Sequence, residues 1–237
     1  MKNYVKLLFV SIVLMAVAVS CSKSSGPVPT PGMVDLGLSV KWASFNLGAS
    51  NPEDCGGYYQ WAGTEDVSDT GIDVSWSTCP YHNGEDCDTG WTKYVSFCFP
   101  EYWGGPGDPD NKLSLEPGDN AVLVKLGGKW RMPTPAEWEE LRDECTWTWT
   151  VRNGVKGYLV SGKKSGYTDK SIFLPAAGYR DGGTLHSVGV DGYYWSMSVS
   201  SSLPNYAGGA DFSEYGIWSE DHGYARYCGF PIRPVAK

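Results

Sequence analysis

The sequence predicts an α+β domain of short twisted strands with one or two helices and long loops, and three observations carry that prediction. One segment, 134–145, holds a full set of helix signals. Segments at 34–42, 57–62, 157–161, 171–175, 192–197, 208–212, 215–218 and 224–234 alternate or cluster apolar residues as strands do, between Gly, Asn, Asp and Ser runs. Thirty glycines and fifteen prolines accompany eleven Trp, fifteen Tyr and seven Phe, so the loops are long but lie over a substantial aromatic core.

Lys2 and Lys6 precede the apolar run 7–19, and small residues follow before Cys21, the layout of a secretory signal over 1–20. Thirteen helical residues rise only about 20 Å against a hydrocarbon core of about 30 Å, too little for a retained span. Ala18-Val19-Ser20-Cys21 fits a loose lipobox, in which Cys21 is diacylated after cleavage. Residues 21–32, rich in Ser, Gly and Pro, read as a lipidated flexible tether, and 33–237 as one domain. The expected location is the cell envelope, held by lipid at the outer membrane. The leaflet stays open, because Ser22-Lys23-Ser24-Ser25-Gly26 has no acidic run. The formal charge is −8, and −10 once Lys2 and Lys6 leave with the signal. Such a surface repels phosphate backbones and anionic headgroups, so no nucleic-acid partner is expected and membrane association falls to the lipid.

Within the domain, Val34, Leu36, Leu38, Val40 and Trp42 alternate with polar residues or glycine, which predicts one half-buried strand. Phe45 and Leu47 resume out of phase, implying a bulge near Ala43 and Ser44. Residues 65–112 read as an irregular insertion. Its Asp66, Asp69, Asp73, Glu85, Asp86, Asp88, Asp108, Asp110 and Asn111 supply the oxygens a calcium ion needs. Their spacing fits no EF-hand loop, and solvated turn acids are the simpler expectation; no other cofactor is implied.

A weak helix signal covers Asn120 to Leu126, after the Pro117-Gly118-Asp119 turn. The strong one opens with Thr134 as N-cap, Pro135 at the first position and Glu137 closing a capping box. Trp138, Leu141 and Cys145 then recur on one face and leave Glu139, Glu140, Arg142 and Asp143 in water. Trp147 and Trp149 alternate on a following strand, so both face the core.

With Cys21 set apart, Cys55, Cys79, Cys87, Cys98, Cys145 and Cys228 remain, an even set that permits disulfides in an exported chain. A Cys79–Cys87 bridge would close a small loop and contribute about 2–4 kcal/mol. Buried thiols are the alternative, since a domain of this length builds a sufficient core without bridges. The absence of C-x-x-C argues against a structural zinc site and a thioredoxin-type centre.

Arg131-Met132-Pro133-Thr134-Pro135-Ala136-Glu137-Trp138 resembles the R-L-P-T-x-A-E-W signature of the formylglycine-generating-enzyme and sulfatase-modifying group of C-type-lectin-like folds. Val34 to Leu38, Gly57 to Gly63, Ile172 to Arg180, Gly192 to Ser196 and Gly229 to Val235 are together similar to the Fibrobacter succinogenes major paralogous domain of bacterial lipoproteins, over roughly 33–237. The resemblance implies a C-type-lectin-like fold with ligand-facing loops in its C-terminal segment, and no assigned activity. It also implies a helix-to-terminal-strand bridge, here Cys145–Cys228, as in many C-type lectins. The enzymes of the group use two cysteines close together, whereas Cys228 has no thiol near it in sequence, so their oxidase chemistry is not expected. The Glu-Pro-Asn and Trp-Asn-Asp pair that holds calcium in sugar-binding C-type lectins is also missing.

His82, His186 and His222 lie in loops without metal-ligand spacing, no G-x-S-x-G occurs, and no carboxylate pair stands out, so the chain does not read as an enzyme. Between 192 and 229 the loops are rich in Tyr, Ser, Gly and Asn, the composition of a recognition surface. Asn205, Tyr206, Tyr215, Trp218, Asp221, His222, Tyr224 and Tyr227 are the candidate ligand-binding residues, with Tyr194, Trp195 and Phe212 packed beneath them. The expected function is a non-catalytic envelope lipoprotein whose C-terminal loops bind a carbohydrate or cell-surface protein. The alternatives are a structural, protein-docking envelope module, including a target protein of diversity-generating retroelements, whose variable segment 181–228 resembles, and a degenerate formylglycine-generating-enzyme-like enzyme.

Overall fold

A computed structural model describes residues 27–69, 71–84, 87, 89–95, 109–200 and 203–237, leaving out the side chains of 219–222. Cys21, Cys98, Glu85, Asp86, Asp88 and Asp108 therefore lie outside the described residues. In chain order the elements are β1 (Met33–Val34), β2 (Lys41–Ala43), α1 (Ala121–Leu126), β3 (Trp130–Arg131), α2 (Pro135–Glu144), β4 (Cys145–Arg152), β5 (Val155–Gly162), β6 (Ser171–Pro175), β7 (Tyr179–Asp181), β8 (Thr184–His186), β9 (Gly192–Val199), β10 (Tyr206–Ser213), β11 (Gly216–Ala225) and β12 (Val235–Ala236). They form small antiparallel sheets with few helices, ordered β1-β2-β12-β3, β11-β10-β9, β4-β5-β6 and β7-β8. Among the described residues no helix is long and apolar enough to cross a membrane.

Both helices start where their caps predict. The Thr134 side chain accepts from the Glu137 amide, and Glu137 accepts from the Thr134 amide at 2.8 Å. Arg131 grips the same carboxylate with both terminal nitrogens, at 2.8 and 2.5 Å, which ties β3 to the helix it precedes. Asn120 caps α1 through its side-chain oxygen, which accepts from Leu123.

The predicted strand over 34–42 is instead two short strands, β1 and β2, that pair with each other, Val34 opposite Trp42. Leu36, Val40 and Trp42 are buried as their alternation implies. Gly37, however, has φ +78°, and its amide donates to the Asp35 side chain, so the backbone turns between them. Residues 57–62 form no strand, only a bridge between Tyr59 and Phe230. Of the predicted strand over 224–234 only Tyr224 and Ala225 are strand, as the end of β11: the Cys228 amide turns back to the Ala225 carbonyl, and those of Gly229 and Phe230 then bond the Arg180 and Tyr59 carbonyls. At the start of the described residues Val28 packs on the core, Pro31 is buried, and the Gly32 amide bonds Ser44 Oγ at 2.9 Å.

Side chains enter two aromatic clusters from opposite faces of shared strands, as the period of two requires. Trp42, Tyr194 and Val235 join Trp138, Leu141, Tyr158 and Phe212 in one cluster; their neighbours Ala43, Trp195 and Ala236 join Trp61, Tyr94, Trp130 and Phe230 in the other. Trp147 and Trp149, half-buried, pack edge-on against Tyr158.

Cys79, Cys145 and Cys228 are free thiols, so neither the Cys79–Cys87 loop nor the Cys145–Cys228 clamp forms among the described residues. Cys145 and Cys228 lie in different clusters, which keeps them apart. Burial pushes the thiols of Cys79, Cys145 and Cys228 up to about 12, 11 and 12.

Candidate functional site

The β9-β10-β11 sheet holds a β-bulge, its register shifting between Ala207 and Gly209 on both sides of β10. Gly223 lies at this bulge with φ +75°, and a Cβ there would stand 2.2 Å from the Ala207 carbonyl oxygen, so only glycine permits the close approach. Beside it opens a cleft of about 300 Å³ lined by Tyr179, Tyr193, Tyr206, Tyr224, Cys228 and Phe230. The rings meet mostly edge to face: Tyr179 and Tyr193 at 5.0 Å and 71°, Tyr193 and Tyr224 at 5.7 Å and 86°, Tyr224 and Phe230 at 5.2 Å and 65°. Trp195 stacks beneath Phe230 at 4.2 Å and makes the floor rigid.

The cleft carries an acidic border. The Tyr224 hydroxyl donates to Asp211, which lies directly across the sheet from Tyr193. The Tyr227 hydroxyl donates to Asp181 at 3.3 Å. Burial, then Asp191 and Asp211, pushes Tyr193 up to about 12; burial, then Asp181, raises Tyr179. The phenols are therefore neutral at pH 7, and Cys228 is a thiol rather than a nucleophilic thiolate.

Of the residues chosen from sequence, Tyr206 and Tyr224 line this cleft. Trp218, 44% exposed, pairs across from Asp211 and so shares the cleft's face of the sheet, while Tyr215, 86% exposed, caps the β10–β11 hairpin. Asn205 is buried, and its carbonyl accepts from the Arg226 amide. Tyr227 is half-buried, its ring against Trp76 at 4.5 Å. The side chains of Asp221 and His222 lie outside the described residues. Tyr179, Tyr193 and Phe230 were not singled out from sequence. The available signal for Tyr193 was period two on β9, which puts it opposite the buried Tyr194.

The acidic insertion uses its carboxylates locally. Asp66 accepts from the amides of Tyr58 and Ser68, Asp69 from that of Gly71, and Asp110 from those of Tyr94, Val95 and Lys112. Among the described residues no three His, Cys, Asp or Glu side chains gather as a metal site. His82 is buried: its Nδ1 lies 2.9 Å from the Trp76 carbonyl and its ring 4.5 Å from that of Trp91.

A second hollow, of about 500 Å³, borders this insertion and includes Gln60, Glu65, Thr78, Tyr81 and Asp119. Asp119 accepts from Tyr81 at 2.5 Å, from Lys93 at 2.5 Å and from the Tyr94 hydroxyl. Burial acts to raise its carboxyl, but these three donors outweigh burial and hold it below the usual carboxylate range. A depressed folded value stabilises above the unfolded value of about 4 and loses that contribution as pH falls through the folded one. Asp119→Asn is therefore expected to lower stability at pH 7 by roughly 1–2 kcal/mol and to flatten the loss of stability below pH 4. Urea titrations across that range check both.

Comparison of the chain with family models, with curated proteins and with solved structures finds no match, so the cleft's own chemistry is the guide to what it holds.

Proposed function

We propose that the chain is a non-catalytic envelope lipoprotein, anchored through Cys21 at the outer membrane, whose C-type-lectin-like domain of the Fibrobacter succinogenes major paralogous kind binds a carbohydrate or cell-surface protein. The small antiparallel sheets with long loops and the capped Thr134 junction support the fold assignment. The observation that carries the function is the aromatic cleft: rigid rings on a sheet, open to solvent, bordered by carboxylates and without an activated nucleophile. Packing of the ligand against the rings of Tyr206 and Trp218 is the recognition mode this surface favours.

The test is a mixed glycan and host-glycoprotein array, with and without a calcium chelator. Tyr224→Ala is expected to weaken saturable binding at least about tenfold while leaving the circular dichroism unchanged. Unchanged affinity removes the cleft from the site. A protein-docking module is the second reading, favoured by the exposed Tyr215 and Trp218 on the hairpin. It is supported if a stoichiometric envelope partner copurifies and is lost in Trp218→Ala while every glycan fails to bind.

A further inference from the structure

We propose that the group this cleft admits is an alkylammonium, a trimethylammonium head of the choline type, borne by the carbohydrate or cell-surface protein that binds there; the inference rests on the cleft being the ligand site. Three features of the walls point to it. First, Tyr179, Tyr193, Tyr224 and Phe230 line the space with rings mostly steeply inclined to one another, Tyr193 and Phe230 meeting at 43°, rather than offering a single flat platform. Such a wall presents aromatic faces and edges in several directions, and the negative faces attract a cation seated against them. A sugar needs one platform and a ring of hydrogen-bonding partners. Here the only polar side-chain atoms of the lining are the tyrosine hydroxyls and the Cys228 thiol, so a buried pyranose would leave hydroxyls unpartnered.

Second, the charge is one-sided. The lining contains no lysine or arginine. Asp191 and Asp211 lie within electrostatic reach of Tyr193, and Asp181 and Asp191 within reach of Tyr179. These carboxylates favour a cation in the cleft without occupying it, and Asp211 also fixes the Tyr224 ring through its hydroxyl. Third, about 300 Å³ stands at the small end of ligand pockets, which suits a compact head better than an oligosaccharide. The bulge at Ala207 and Gly209, with Gly223 against the Ala207 carbonyl, lies beside Tyr206 and Tyr224, which both line the cleft.

The full chain is titrated calorimetrically at constant ionic strength with choline, with its uncharged isostere 3,3-dimethylbutanol, and with glucose and N-acetylglucosamine. Choline is expected to bind saturably, at least about tenfold more tightly than the isostere. Tyr193→Leu is expected to abolish binding and Tyr193→Phe to retain it, because the ring and not the hydroxyl makes the contact. Asp191→Asn is expected to weaken choline and leave the isostere unchanged. Equal affinity for choline and isostere overturns the proposal by showing an apolar hollow. Saccharide binding that depends on Tyr193, with no choline binding, overturns it while the cleft stands as the ligand site. Failure of every probe overturns it, and the array then decides separately whether the cleft binds anything.

Discussion

Arg233→Ala is expected to lower the stability of the domain by about 4 kcal/mol or more, against a total of roughly 5–15 kcal/mol for an ordinary domain. Arg233 is fully buried, and each arm of its guanidinium meets a different part of the fold. Nε donates to Asn46 Oδ1 at 2.8 Å, one terminal nitrogen to the Ala43 carbonyl of β2 at 2.9 Å, and the other to the Phe173 carbonyl of β6 at 2.7 Å. Asn46 in turn donates to the Cys55 carbonyl and to the Tyr194 hydroxyl, which itself donates to the Pro175 carbonyl at 2.8 Å. The four-stranded sheet and the β4-β5-β6 sheet are thus joined through one cation that forms no ion pair among the described residues. Burial pushes the guanidinium down to about 10, still charged at neutral pH, and carbonyl dipoles compensate the charge. Alanine would orphan three acceptors in the interior. Lysine carries a single point of donation and is expected to recover only part of the loss, with a midpoint in urea between the two. A stability loss below about 1 kcal/mol for alanine would show that water replaces the guanidinium and that the junction is not dry.

Local chemistry made α2 legible, because Thr134, Pro135 and Glu137 satisfy the first amides of the helix whatever lies around them. The segment 34–42 shows the limit of periodicity. Its alternation correctly sorts buried from exposed residues, yet the same alternation fits two strands with a turn, and only the left-handed Gly37 backbone chooses between them. The predicted strand over 224–234 fails for a different reason: Arg226 and Arg233 are buried among carbonyls and rings contributed by residues far away in sequence, contacts that no local pattern reports. The cleft was half legible on the same grounds. Tyr206 and Tyr224 stand in a tyrosine-rich segment that composition picks out, but Tyr179 and Phe230 are brought to the cleft by the bridges Arg180–Gly229 and Tyr59–Phe230, which are non-local. Asn205 has the composition of a recognition residue and the position of a structural one, because its carbonyl serves the Arg226 amide.

Arg226→Ala is expected to cost about 3–5 kcal/mol and to loosen the insertion before the rest of the domain. The guanidinium lies 4.0 Å from the Trp91 ring and 4.7 Å from that of Trp61, and donates to the Pro204 carbonyl at 2.9 Å. Trp61 belongs to the main core and Trp91 to a small cluster with Cys79 and Val95, so this side chain fastens the insertion to the body of the fold. Burial pushes it down to about 10, and the two indole faces supply much of the counter-charge that a carboxylate would otherwise give. Alanine would leave a void between two large rings, while methionine would fill much of the space without the charge; a loss of only about 1–2 kcal/mol is expected for methionine. The two variants therefore separate volume from cation–π attraction. Hydrogen exchange is expected to rise first at the amides of Asn83 and Thr92, which bond the Gly90 and Tyr81 carbonyls on either side of the His82–Trp91 bridge, and the β4-β5-β6 amides to remain protected. Tyr227 and Cys228 follow Arg226 directly and Cys228 borders the cleft, so the alanine variant is also expected to weaken ligand binding there, and the methionine variant less. Equal losses of stability for alanine and methionine would mean that the charge, and not the filling of space, holds the insertion in place.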